Sequence, residues 1–107
     1  MEFNGKPISR AVVNIATIAR HEIVAATSGQ RIHVFALWLW ANGTTNATFE
    51  SATTALAGPL SLIVQSYFDM PFNRAGEPYL VTTVSEAFNI SLSAAQQVSG
   101  VVYYVKN

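Results

Sequence analysis

Residues 31–41 read RIHVFALWLWA, and the reading of this stretch decides the fold. Side chains along a strand alternate between two faces with period two. One face then carries Arg31, His33, Phe35, Leu37, Leu39 and Ala41, and the other Ile32, Val34, Ala36, Trp38 and Trp40. From Val34 onward both faces are apolar. A two-layer sheet protein needs only one apolar face per strand, so a strand of this kind calls for a third layer.

The chain has 107 residues, 50% hydrophobic and only 11% charged, with no net charge. That length is one domain with room for one core. A nucleic-acid binder would show a basic patch, and a protein held electrostatically to a membrane would show a cluster of cations. Neither is present: Lys6 and Lys106 are the only lysines. A weakly charged surface favours association. There is no cysteine, so neither a disulfide framework nor a thiolate zinc site is open to the chain. The opening MEFNGKPISR lacks the apolar core of a signal peptide, and Val34 to Ala41 is far short of the ~18 residues of a membrane span. The expectation is a chain made and used in solution.

Working outward from 31–41, short β-rich runs recur at regular spacing: 10–17, 22–27, 46–51, 53–56, 60–65, 79–84, 87–93 and 97–105. Phe88, Ile90 and Leu92 alternate with Asn89, Ser91 and Ser93, the pattern of a half-buried strand. Turn signals separate the runs: Ser28-Gly29-Gln30, Asn42-Gly43, Gly58-Pro59, and the loop PFNRAGEP with Gly76 and Pro78. Ile8, Val12, Ile15, Ala19 and Ile23 approach helical spacing, but the β-branched content of the segment favours strands. The prediction is all-β: an antiparallel, jelly-roll-like β-sandwich over residues 10–107, preceded by an extended polar arm, residues 1–9. The arm is expected to be poorly ordered in the free protein. Asn42-Gly43 is expected to form a hairpin turn, and Ser28-Gly29 to join 22–27 to 31–36 as paired strands.

Catalytic chemistry is weakly represented. His21, Glu22 and His33 fall short of a zinc ligand set, which needs three or four ligands at fixed spacing. Asp69 and Glu77 flank Arg74, which an ion pair fixing the loop explains more simply than a carboxylate pair for hydrolysis. The glycines are isolated, so no phosphate loop or nucleophile elbow is present. The expectation is no enzyme, no metal and no cofactor. Trp38 and Trp40, with Tyr67, Tyr79, Tyr103 and Tyr104, are candidate ligand-facing aromatics of the kind that stack on sugar rings. Aromatics set among apolar strand residues more often pack in a core or interface.

Four segments in order, EIVAATSGQRIHVFALWLWA, TFESATTALAGPLSL, MPFNRAGEPYLVT and SEAFNISLSAAQQVSGVVYYV, resemble small β-sandwich virion proteins of tailed bacteriophages: decoration or cement proteins, head-fibre proteins and minor structural proteins. The resemblance implies a structural protein of the capsid or tail surface, made in the host cytoplasm and acting as a homo-oligomer, a trimer, on the major capsid protein or another virion protein. The alternative is a carbohydrate- or receptor-binding module on a fibre or tail, with a glycan as ligand.

In this reading the third layer over 31–41 is a second copy of the chain. Val34 and Ala36 are expected in the core, and Phe35, Leu37 and Leu39 at the subunit contact. Trp38 and Trp40 would cap the core near Asn42-Gly43. Phe3, Lys6 and Ile8 of the arm are expected to meet a partner, by strand addition.

Overall fold

The computed structural model describes residues 2–107. Eleven strands run in chain order, and no helix interrupts them among the described residues. A short hairpin comes first, β1 (Glu2–Phe3) paired with β2 (Lys6–Pro7). The body follows as β3 (Ser9–Ile15), β4 (Ala19–Val24), β5 (Ile32–Ala41), β6 (Thr45–Ser51), β7 (Thr54–Leu62), β8 (Ser66–Met70), β9 (Leu80–Val81), β10 (Phe88–Leu92) and β11 (Val98–Lys106). One sheet has the order β3-β11-β5-β8, with β9 pairing the first residues of β5; the other has the order β4-β10-β6-β7. Every pairing is antiparallel. No helix is long and apolar enough to cross a membrane.

The sheets face each other over one core, a β-sandwich. Val13 and Ile15 of β3, Ile32, Val34, Leu37, Leu39 and Ala41 of β5, and Val98 and Val102 of β11 meet Val24, Ala47, Phe49, Leu62, Phe88, Ile90 and Leu92 of the other sheet. Phe49 stacks on Phe88 within its sheet and reaches across to Phe68 of β8. Burying a large apolar side chain contributes about 1.5–3 kcal/mol, so this single layer is where the fold is held.

The core residues of β5 change parity part-way along the strand: Ile32 and Val34 are even, whereas Leu37, Leu39 and Ala41 are odd. The cause is a β-bulge. Tyr104 pairs with Val34 and Tyr103 with Ala36, which leaves Phe35 without a partner on β11. One extra residue reverses the alternation beyond it. The assignment of faces by unbroken period two is therefore corrected: Leu37 (1% exposed) and Leu39 (0%) lie in the core of the single chain, and Trp38 and Trp40 point away from it.

The third layer over the first part of β5 is the chain's own N-terminus. Phe3 lies against the rings of Phe35 (5.0 Å) and His33 (4.8 Å), and Phe35 is 2% exposed as a result. Residues 2–7 form a hairpin folded back on the body rather than an extended arm. Lys6 reaches the Lys106 carbonyl (3.0 Å), and Ile8, half-buried, sits at the link to β3.

Two turns also differ from expectation. Asn42-Gly43 does not close a hairpin, because β5 and β6 belong to different sheets. Neither residue takes the positive φ that the tight hairpin turn demands; Asn42 instead donates its N–H to Gln97 O. Ser28-Gly29 likewise links β4 and β5 across the two sheets. The consecutive hairpin of the body is β6–β7, turning at Ala52 with φ 50°. Gly58-Pro59, expected as a break, lies inside β7 at a register shift opposite β6. Proline is tolerated there because β7 is an edge strand.

Candidate functional site

The registers place the outward residues of the first sheet in rows. Val12, Val101, Trp38 and Asp69 lie side by side across β3, β11, β5 and β8. The next row holds Asn14, Ser99, Trp40 and Tyr67, and the row on the other side Arg10, Tyr103 and Ala36. Trp38 stacks with Tyr67 at a centroid distance of 6.2 Å, and Phe72 leans on Tyr103 at 5.5 Å. Val12 is 69% exposed and Tyr67 62%. The centre of the face is apolar and aromatic, and Arg10 and Asp69 are the charged residues of these three rows.

This face continues to one end of the sandwich. Ile15, Val98, Ala41 and Ser66 are aligned by register at the ends of their strands. The β3–β4 and β7–β8 turns that leave this end carry Ile18, Ile63 and Val64, all exposed. Trp40 and Tyr67 stand one residue back from it. Trp38 and Trp40 thus share one outer face with Tyr67 and Tyr103, whereas Tyr79 is held in the 71–79 loop, its hydroxyl donating to Pro71 O (2.6 Å).

The outer face of the second sheet has the opposite character. Glu22, Asn89 and Glu50 form one row, and Arg20, Ser91 and Thr48 the next. Arg20 makes a two-pronged pair with Glu50, Nε to Oε1 at 2.7 Å and Nη2 to Oε2 at 3.3 Å. It is the only ion pair among the described residues. The expected pairing of Arg74 with Asp69 or Glu77 is not formed; Asn73 orders that loop instead, its side chain accepting from Ala75 N–H (2.7 Å).

Comparison of the chain with protein-family models, with curated proteins and with solved structures finds no match.

The histidines are set apart. His21 bonds the backbone of Thr17, at the edge of the second sheet. His33 lies under Phe3 with its Nδ1 buried and unpartnered. Among the described residues no three metal-ligating side chains converge. Burial holds His33 below the ordinary histidine pKa; the backbone of Asn107 opposes this shift, and the charge of Arg31 adds to it. The fold therefore prefers neutral His33, while the unfolded chain takes up its proton near the ordinary value of about 6.5. The stability contribution is present above that value and is lost as pH falls below it toward the depressed folded pKa. Lowering the pH from about 7.5 to about 5.5 should shift the urea midpoint of the protein downward by more than that of His33→Gln. Equal shifts in both would show that His33 is not the group responsible.

Proposed function

We propose that this protein is a structural, self-associating β-sandwich that decorates or cements a phage capsid or tail surface as a homo-oligomer, a trimer. The observation that carries the reading is the asymmetry of the two outer faces. The outward rows of one sheet are polar, with Arg20, Glu22, Thr48, Asn89, Ser91 and the Glu50 ion pair, while those of the other carry Val12, Val101, Trp38, Trp40, Tyr67 and Tyr103. Contiguous exposed apolar surface of this kind marks an interaction site, and aromatic residues are enriched in interface cores while charges are depleted. Self-association also agrees with a chain that carries no net charge.

Strand order supports the jelly-roll part of the reading. Counting the eight main strands of the body in chain order and leaving out the short β9, the sheets run 1-8-3-6 and 2-7-4-5. Viral capsid and lectin domains both use that architecture, so the fold alone does not choose between a structural and a sugar-binding role. The virion assignment itself rests on the resemblance of the four sequence segments.

Sedimentation of the purified protein tests the self-association. A trimer is expected, and Val12→Glu or Tyr67→Glu should yield folded monomers. Both side chains are largely in water in the single chain, so a charge there leaves folding intact and repels only a neighbouring copy. A monomeric wild type, or variants that keep the oligomer, would remove the proposed contact face. The virion role is tested by mass spectrometry of particles purified from cells that carry the coding sequence. Stoichiometric copies are expected, and absence from the particles refutes the role.

A second reading is favoured by one observation, the stacked Trp38–Tyr67 pair beside Trp40. A partly exposed aromatic cluster of this type suits a sugar ring. Saccharide titration followed by tryptophan fluorescence separates the two: saturable quenching supports the glycan module, and an unchanged spectrum leaves the structural role.

A further inference from the structure

The chain's only two lysines come together at one place. Lys6, on the N-terminal hairpin, and Lys106, at the end of β11, line the same cleft of about 320 Å³ with Pro7, Ser9, Tyr104 and Val105. They are 100 residues apart in sequence, and the fold-back of β1–β2 on the body is what joins them. Both are half-buried. Lys6 Nζ donates to the Lys106 carbonyl (3.0 Å), and Lys106 Nζ donates to Thr27 Oγ1 (2.9 Å). An ammonium has three donors, and each of these has one protein partner among the described residues.

Neither lysine has a carboxylate within ion-pairing distance, since Arg20–Glu50 is the only such pair among the described residues. Half-buried cations without a counter-charge keep part of the cost of desolvation and gain no Coulomb energy in return. Ser9 and Tyr104 share the lining with the apolar Pro7 and Val105.

We propose that this cleft binds an oxyanion, a carboxylate or phosphate group, between Lys6 and the end of β11. The group is either a free small anion or the side chain of an acidic peptide segment. The site is separate from the aromatic outer face and does not depend on the self-association reading. Because Lys6 belongs to the hairpin and Lys106 to the body, a bound anion also ties the hairpin down over His33 and Phe35.

Amide chemical shifts of the full chain, read during titration at fixed ionic strength, test the proposal. Inorganic phosphate, acetate and a tetraglutamate peptide are the probes, with sodium chloride as the matched control. Saturable shifts at Ser9, Val105 and Lys106, half-complete below about 10 mM, are expected. They should weaken at least fivefold in Lys6→Gln and in Lys106→Gln, and fade as added salt screens the charges. Saturation by phosphate and acetate identifies a free-anion site, and saturation by the peptide alone identifies an acidic segment. Shifts no larger than those of sodium chloride would overturn the proposal. So would shifts unchanged in both variants; either variant suffices if the other fails to fold.

Discussion

Leu37→Glu should leave no folded protein in buffer. Leu37 is 1% exposed and lies between the sheets, on the central pair β11–β5, with Met70 of β8 opposite it on the other side. No cation lies in the surrounding core cluster, so the new carboxylate would be buried and unpaired or would have to take up a proton. Loss of the leucine side chain alone costs about 2–5 kcal/mol. An unpaired buried charge adds several more, against a total stability of about 5–15 kcal/mol for a domain. The neighbouring substitution Trp38→Glu places the same charge on the outer face, where it reaches water, and the chain should fold. Circular dichroism and sedimentation of the two variants give the answer. A folded Leu37→Glu monomer beside an unfolded Trp38→Glu would restore the unbroken alternation of β5 and refute the bulge.

That contrast also marks how far the sequence could be read. The all-β class was legible, because turn residues punctuate the chain and Phe88, Ile90 and Leu92 alternate cleanly. Apolar content on both faces of 31–41 signals a third layer, and the hairpin supplies one over His33 and Phe35. Its identity was hidden in part, because covering Phe35 depends on Phe3, a single aromatic in a polar hairpin more than thirty residues away. The bulge was hidden altogether. Phe35 and Ala36 are both apolar, so the reversal of parity between them leaves no trace in the hydropathy pattern, and unbroken period two puts Leu37 and Leu39 on the contact face for that reason. Phe35, expected at the same contact, does lie on the outer side of the strand, but the chain's own hairpin covers it.

Strand pairing was less legible than strand existence. Asn-Gly is a hairpin signal only when both residues take positive φ, and here the chain crosses from one sheet to the other instead. The strand at Ser66–Met70 is not signalled by the sequence, because Tyr67 on its outer side is as aromatic as Phe68 on its inner side and no hydropathy alternation marks it. Trp38 and Trp40 were recognisable as candidate ligand-facing residues from type alone. Val12 and Val101 join them on the face only through the register, which also separates Tyr67 and Tyr103 from Tyr79 and Tyr104. The Arg20–Glu50 pair and the meeting of Lys6 with Lys106 are likewise products of long-range topology, which no local spacing encodes.

Gly100→Ala should be among the most damaging single-methyl changes in the molecule. Gly100 lies in mid-β11, paired with Val13 on one side and Leu39 on the other, and it is buried. Its φ is not positive, so the requirement is for space and not for a left-handed backbone. A methyl built there would overlap the Trp38 carbonyl oxygen and crowd the Trp38 carbonyl carbon and Leu39 Cα. All three are backbone atoms, so no rotamer change relieves the overlap, and the β11–β5 ladder has to part. Overpacking usually costs about 1–3 kcal/mol, and a clash confined to backbone belongs at or above the top of that range. For a domain of this size each kcal/mol lowers Tm by about 4–8 °C, so a loss of at least about 10–20 °C is expected. Gly29→Ala and Gly76→Ala form the control. Their φ values of 77° and 71° strain an alanine, but nothing lies within 4 Å of the added methyl, and a strain of about 1 kcal/mol at an exposed turn should lower Tm by about 4–8 °C. Thermal unfolding of the three variants side by side settles the ranking. If Gly100→Ala melts with the turn variants, β11 and β5 do not approach as closely as described. The two strands would then have room to shift, and with them the register that brings Val101 and Trp38 into one row.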